Sequence, residues 1–284
     1  MKIGIVGGGF VGKATRLLEC KNVDVYTYDI NKDLCNPKDT TMKTICDCDL
    51  IFICVPTPMN KNGSCYINIV LNVLDEIKKY IKIEESCVIL RSTLPVNTSH
   101  ELNCYFMPEF LTEKNFENDF RNNENWIIGL REESVSREEI FKRKFSELIN
   151  NAYENGSIKH NSIHFMRNSE AEMVKLFRNN FLAVKVSFCN EIYKFCDAKQ
   201  ISYENVRKVA TLDKRIGESH SKVPGHDGNF GYGGTCFPKD THSLYYQMIE
   251  TSVDSRIIRG AIERNENIDR RGKDWESSKG RAVI

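Results

Sequence analysis

KIGIVGGGFVG, residues 2–12, is the stretch that decides the fold. Residues 2–6 read as a short buried strand, and an apolar helical pattern begins at Phe10 and runs to about Cys20. Between them Gly7, Gly9 and Gly12 stand in the GxGxxG spacing, where backbone N–H groups at a helix start receive a pyrophosphate. Phe10 and Val11 complete that turn. A second strand, VDVYTYD (23–29), ends on Asp29, 20 residues after Gly9, where a carboxylate accepts hydrogen bonds from a ribose 2′-hydroxyl and repels a 2′-phosphate. A tight turn with an incidental surface acid is the competing reading. Strand, turn, helix and acid all agree with a dinucleotide site, so the expected cofactor is NAD rather than NADP.

Working outward, apolar runs at LIFICV (50–55), CVILRST (87–93) and CYFMPEF (104–110) alternate with helical stretches such as YINIVLNVLDEIKKYI (66–81). WIIGL (126–130) and SIHF (162–165) add further strands. The alternation predicts an α/β fold, a Rossmann-type doubly wound parallel sheet over residues 1–166. The period then changes. Ser169 to Lys199 contains neither Gly nor Pro and repeats apolar residues every three or four positions, predicting one long central helix of about 45 Å. It is apolar on more of its surface than a small domain covers, which points to a second copy of the chain. An all-helical domain is expected over 167–270, and a polar, frayed tail over 271–284.

Forty Lys and Arg residues against 39 Asp and Glu leave no bulk charge to attract nucleic acid or an anionic membrane. The N-terminal apolar run is too short for a signal peptide, and no stretch approaches a membrane span, so a cytoplasmic protein is expected. The 11 cysteines are scattered, with no CxxC pair and no Cys/His cluster at zinc spacing, so no metal is expected. Most read as small buried hydrophobes.

Only Cys236, in GYGGTCFPKD (231–240), has neighbours that argue for chemistry. Glycines precede it, Pro238 suits the first turn of a new helix, and a thiol at a helix N-terminus beside Lys239 gains thiolate character. A buried cysteine in a structural turn fits the local sequence equally well.

This loop resembles the active-site loop of the UDP-glucose/GDP-mannose dehydrogenase family, and further likenesses run in order along the chain. VPTP (55–58) resembles that family's turn beneath the nicotinamide, and RSTLPV (91–96) its serine-threonine turn. PEFLTE (108–113) resembles the acidic substrate loop, AEMVKLFRNNFLA (171–183) the central helix, and KRIG (214–217) a segment before the catalytic loop. The likeness covers about residues 1–270.

It implies a four-electron oxidation of a nucleotide sugar C6 alcohol to a carboxylate, using NAD twice and one water, through a Cys236 thiohemiacetal and thioester. A cysteine suits this because it is both a soft nucleophile and a fair leaving group. Lys175 and Asn179, four apart on the long helix and otherwise readable as a solvated face, are implied to stabilise the oxyanion. Asp240, Glu109 and Thr93 are implied to handle the hydrolytic water. Val55, Thr57, Pro58, Ser92, Thr93, Glu113 and Lys239 fall to the cofactor. Glu109, Phe110, Leu111, Lys175, Asn179, Asn229, Tyr232 and Gly233 fall to the substrate.

Arg215 is implied to reach the substrate of a neighbouring subunit in a homodimer, with a surface salt bridge as its alternative. VPGHDGNFGYGG (223–234) looks closest to the UDP-glucose branch. Family members usually continue into a second nucleotide-binding α/β domain, so the resemblance over residues 1–270 implies the chemical groups without that clamp. Two other readings compete. A β-hydroxyacid dehydrogenase shares the helix Lys and Asn but needs no cysteine, and a truncated non-catalytic NAD-binding protein needs none of these groups.

Overall fold

The computed structural model describes residues 1–131 and 135–284. The chain forms two compact units, Met1–Thr57 with Ile67–Lys175, and Pro58–Tyr66 with Leu176–Ile284. The division falls inside the long helix rather than ahead of it, and a short segment after Thr57 belongs with the second unit.

The first unit is built on seven strands: β1 (Lys2–Val6), β2 (Asp24–Tyr28), β3 (Leu50–Ile53), β4 (Val88–Leu90), β5 (Tyr105–Phe106), β6 (Asn125–Leu130) and β7 (Ser162–Arg167). Their order is β2-β1-β3-β4-β5-β6-β7. The helices of this unit are α1 (Phe10–Arg16), α2 (Met42–Cys46), α3 (Asn68–Lys78), α4 (Thr98–Glu101), α5 (Phe116–Arg121) and α6 (Val135–Glu154).

Strand alternation sends successive side chains to opposite faces. Ile3, Ile5 and Phe52 join Phe141 and Phe145 of α6 in one core cluster. Val6, Ile51 and Ile53 join Val70, Leu74 and Ile77 of α3 in another. Helices thus cover both faces, as a doubly wound sheet requires.

Two details depart from the expected parallel sheet. β1 to β5 pair in parallel, but β6 pairs antiparallel with β5 through Phe106 and Gly129, and β7 runs beside β6 in the same direction. The run CYFMPEF also pairs only at Tyr105 and Phe106. Pro108 has no N–H for the ladder, and the Glu109 carbonyl is taken by Lys175 Nζ at 2.6 Å.

The second unit carries the rest of α7 (Asn168–Ala198), then α8 (Tyr203–Ala210), α9 (Phe237–Glu250) and α10 (Arg256–Arg264), and a π-helical turn at Asn265–Asp269. Helix α7 matches the stretch read from its periodicity. The tail does not fray as expected. Asp274–Ser277 form a 3₁₀ turn that leaves Trp275 2% exposed. Met59 N–H donates to the Ala282 carbonyl at 2.8 Å, and Ile284 N–H to the Met59 carbonyl at 3.1 Å. A buried indole and a two-bond bridge outweigh the polar composition that predicted disorder. Among the described residues no helix is long and apolar enough to cross a membrane.

The turn after β1 packs closely on the start of α1. A Cβ on Gly12, in the first turn of α1, would stand 1.9 Å from the Gly7 carbonyl oxygen, so the helix can lie against the turn only without a side chain there. Gly12→Ala is expected to cost about 2 kcal/mol or more, because backbone and not a flexible side chain must give way. Chemical denaturation measures this, and a stability within 0.5 kcal/mol of wild type, on the order of an ordinary surface change, would contradict it.

Candidate active site

The glycine turn after β1 leads directly into α1. α1 begins at Phe10 with Gly9 as its N-cap, and open space lies above the Gly9 Cα. One oxygen of Asp29 accepts the Gly8 N–H at 2.6 Å and the other accepts the Asn31 N–H at 2.8 Å. The acid therefore braces the glycine turn from the end of β2. A cradle of this kind, with uncovered backbone at a helix start beside a fixed carboxylate, fits a dinucleotide.

The two turns beyond it are tied together. Thr57 Oγ1 donates to the Thr93 carbonyl at 2.7 Å, and Ser92 Oγ donates to the Val55 carbonyl at 2.6 Å. Pro58, the next residue, opens the segment that belongs to the second unit, where its carbonyl accepts the Tyr66 N–H at 2.8 Å. Glu113 lies exposed between β5 and α5.

The loop after β5 carries the charged centre of the first unit. Lys175 reaches the Glu109 carboxylate at 2.8 Å, and the two side chains are 4% and 7% exposed. The second Glu109 oxygen accepts the Leu111 N–H at 2.8 Å, and the Lys175 ammonium lies 5.5 Å from the Phe110 ring centroid. Burial pushes the Glu109 carboxyl up, but the Lys175 charge and hydrogen bond, the Leu111 N–H and the Arg91 guanidinium hold it below the ordinary value.

Arg91 is a residue that motif reading passed over. It is 3% exposed, donates to Thr15 Oγ1 on α1, and lines a cavity of about 40 Å³ together with Glu109. A cation heading the RSTLPV run was visible in the sequence, but its burial was not. Glu172 was passed over as well. Its carboxylate accepts from Asn97 N–H, Ser99 N–H and Ser99 Oγ at 2.6–2.8 Å and so holds the far end of the same run.

In the second unit, Cys236 is the N-cap of α9 and Pro238 lies in its first turn. Asp240, 1% exposed, accepts from Asn179 Nδ2 at 2.6 Å and from Lys239 Nζ at 2.6 Å. Asn180 Nδ2 donates to the Asp240 carbonyl at 3.2 Å. Burial works against the Lys239 ammonium, but the Asp240 carboxylate, with the Cys236 and Cys65 sulfurs, raises it above the ordinary lysine value. Thiol, ammonium, carboxylate and amide thus share one end of α9.

Tyr232 is buried and Gly233 half-buried, while Asn229 is exposed with its N–H on Asp227 at 3.0 Å. Arg215 is exposed and paired with Asp213 at 2.6 Å, the surface salt bridge that was its alternative. None of the 11 cysteines forms a disulfide. Burial pushes the Cys46 thiol up to about 11 and the Cys48 and Cys104 thiols up to about 12, and it raises Cys54 and Cys87 as well.

The NAD binding domain of the UDP-glucose/GDP-mannose dehydrogenase family matches residues 35–149, and the central domain of that family matches residues 169–267. The chain belongs to this family. A UDP-glucose 6-dehydrogenase of Pseudomonas aeruginosa is 30% identical over 239 residues, covering 78% of this chain and 49% of that protein. The chain therefore spans about half the length of this relative.

Solved structures that share the fold include the following two. A UDP-glucose dehydrogenase from Pyrobaculum islandicum superimposes with a TM-score of 0.76 at 23% identity, over 93% of this chain and 68% of that one. The 3-hydroxyisobutyrate dehydrogenase of Mycobacterium tuberculosis gives 0.70 at 14% identity, over 92% and 91%. The fold alone therefore does not separate the family from the hydroxyacid dehydrogenases. The two family domains do, the NAD binding domain over residues 35–149 and the central domain over residues 169–267.

The Glu109–Lys175 pair sets a pH signature. In wild type the folded Glu109 pKa lies below the unfolded one, so its stabilisation is full above the unfolded value and is lost as pH falls through the folded value. Lys175→Met leaves a buried carboxylate dominated by desolvation, whose pKa rises. The variant is expected to lose about 3–5 kcal/mol at pH 7 and to regain part of that loss toward pH 5. Urea denaturation at both pH values reads this, and a loss independent of pH would contradict it.

Proposed function

We propose that the chain catalyses the NAD-dependent oxidation of a nucleotide sugar C6 alcohol to the carboxylate, with UDP-glucose as substrate and Cys236 as nucleophile. The observation that carries this reading is the polar group at the start of α9, where Cys236 stands beside Lys239 and Asp240, and Asp240 also holds Asn179. A hydroxyacid dehydrogenase has no use for a thiol there.

NAD, when bound on the Gly7–Gly12 turn, supplies the hydride acceptor for each of the two oxidations. The residues of the chain do the rest. After the alcohol has become an aldehyde, the Cys236 thiolate adds to its C6 carbon. Lys175 and Asn179 donate hydrogen bonds to the oxygen that becomes negative. Loss of a second hydride from C6 leaves a thioester on Cys236. Water then attacks the thioester carbonyl, and Asp240, Glu109 and Thr93 orient it and take its proton. The C–S bond breaks, the carboxylate leaves and Cys236 returns as thiolate. The balance is one alcohol, one water and two NAD giving one carboxylate, two NADH and three protons.

The chain is also proposed to act as a homodimer. Phe177, Phe181, Phe188 and Phe195 on α7 are 62%, 59%, 63% and 58% exposed, a spacing of four and seven that keeps them along one side of the helix. Exposed phenyl rings in such a row are costly in water and are covered by a second copy. Arg215, exposed in this chain, is the candidate to serve the partner's substrate.

Counting NADH per sugar tests the chemistry. With UDP-glucose, two NADH per sugar are expected from wild type and at most one from Cys236→Ser. One NADH with an indifferent Cys236→Ser would favour hydroxyacid chemistry, and none with UDP-glucose, GDP-mannose or a 3-hydroxy acid would favour a binding protein. Light scattering tests the assembly. Wild type is expected at twice the chain mass and Phe188→Asp at the chain mass, whereas a monomeric wild type would remove the dimer.

A further inference from the structure

The glycine-rich loop before Cys236 has no regular secondary structure between Pro224 and Gly234, yet its backbone is held at several points by side chains from elsewhere in the second unit. Asn265, 1% exposed, pairs with Tyr232 as a neighbouring strand would. Its Oδ1 accepts the Tyr232 N–H at 2.8 Å and its Nδ2 donates to the Tyr232 carbonyl at 2.9 Å. Asn190 Oδ1 accepts the Gly231 N–H at 3.1 Å.

Arg270 holds the other side. Its guanidinium, 9% exposed, donates to Asp227 Oδ2 at 2.6 Å and to the Phe230 carbonyl at 3.5 Å. From behind, Asp274 anchors it through Nε at 2.6 Å and Nη2 at 2.8 Å. A Cβ on Gly233 would stand 2.5 Å from the guanidinium carbon, so the loop backbone lies directly against this group.

The two residues are placed by the π-helical turn at Asn265–Asp269. The Arg270 N–H closes that turn on the Asn265 carbonyl at 2.7 Å, a bond one residue longer than in an α-helix. One extra residue rotates the chain beyond the turn by about 100° relative to an unbroken α-helix. Turns of this kind recur where a helix must aim a side chain.

We infer that Arg270, with Asn265, is a positioning residue that sets the backbone of Asp227–Gly233 to receive the sugar nucleotide. The inference rests on the proposed reading of this loop as the substrate loop. Arg270 acts through the loop: its donors go to Asp227, the Phe230 carbonyl and Asp274. Asp227 is accordingly a structural member of the loop, its carboxylate shared between Arg270 and the Asn229 N–H. A planar fork that meets two carboxylates and a carbonyl at once is a task for Arg and not for Lys.

The test is initial-rate kinetics on the full chain, varying UDP-glucose and NAD, for wild type, Arg270→Ala, Arg270→Lys and Asp274→Asn. Arg270→Ala is expected to raise the KM for UDP-glucose about tenfold or more, since small misplacements of binding groups are amplified. Its kcat and its KM for NAD are expected to stay within about threefold, as for loss of uniform binding. Arg270→Lys recovers part of the effect. Asp274→Asn, which leaves the loop and every catalytic group in place, moves the same KM in the same direction by less.

A lower melting temperature in Arg270→Ala without a change in the KM for UDP-glucose would overturn the inference, as would an equal rise in both KM values. If wild type makes no NADH, calorimetry with UDP-glucose separates the two ideas. Binding by wild type that weakens about tenfold in Arg270→Ala keeps the inference and removes only the oxidation. No binding by wild type overturns both.

Discussion

An ammonium and a carboxylate taken out of water together cost several kcal/mol each unless each finds its partner and its remaining hydrogen bonds. Lys175 and Glu109 satisfy that condition closely: one Glu109 oxygen takes the ammonium, the other takes the Leu111 N–H, and the ammonium also takes the Glu109 carbonyl. The pair therefore fixes the loop after β5 against the start of α7.

In the second unit the controlling group is Asp240. A carboxylate 1% exposed must spend both oxygens, and it does so on Asn179 and Lys239. The Asn179 amide from α7 and the Lys239 ammonium beside the thiol are thereby both held on one carboxylate. That arrangement suits chemistry in which negative charge appears briefly on oxygen and then departs.

Features that depend on neighbours in sequence were legible directly. Strand, glycine turn, helix and Asp29 lie within 29 residues, and each could be read from its own residue types and spacing. The length of α7 came from an unbroken period of three and four. What could not be read were contacts closed across the chain. Lys175 finds Glu109 66 residues away, and Arg91 finds Thr15 76 residues away, with nothing local to announce either. The direction of β6 is likewise set by pairing with β5 and not by its own composition. The tail misled for a related reason: a single Trp275 and two backbone bonds decide its order, while its other residues read as polar. For Cys236 the local sequence left a structural turn and a nucleophile equally open, and only the ordered family motifs raised the second.

The sulfur content of the chain bears on how long it survives. Thiolates and not thiols are oxidised, and burial suppresses the thiolate at Cys46, Cys48, Cys54, Cys87 and Cys104. The packed core is thus an antioxidant as well as a scaffold. Unfolding removes both properties at once for these five sulfurs. Substitutions that loosen the sheet would therefore open these thiols to oxidation as well as lower stability.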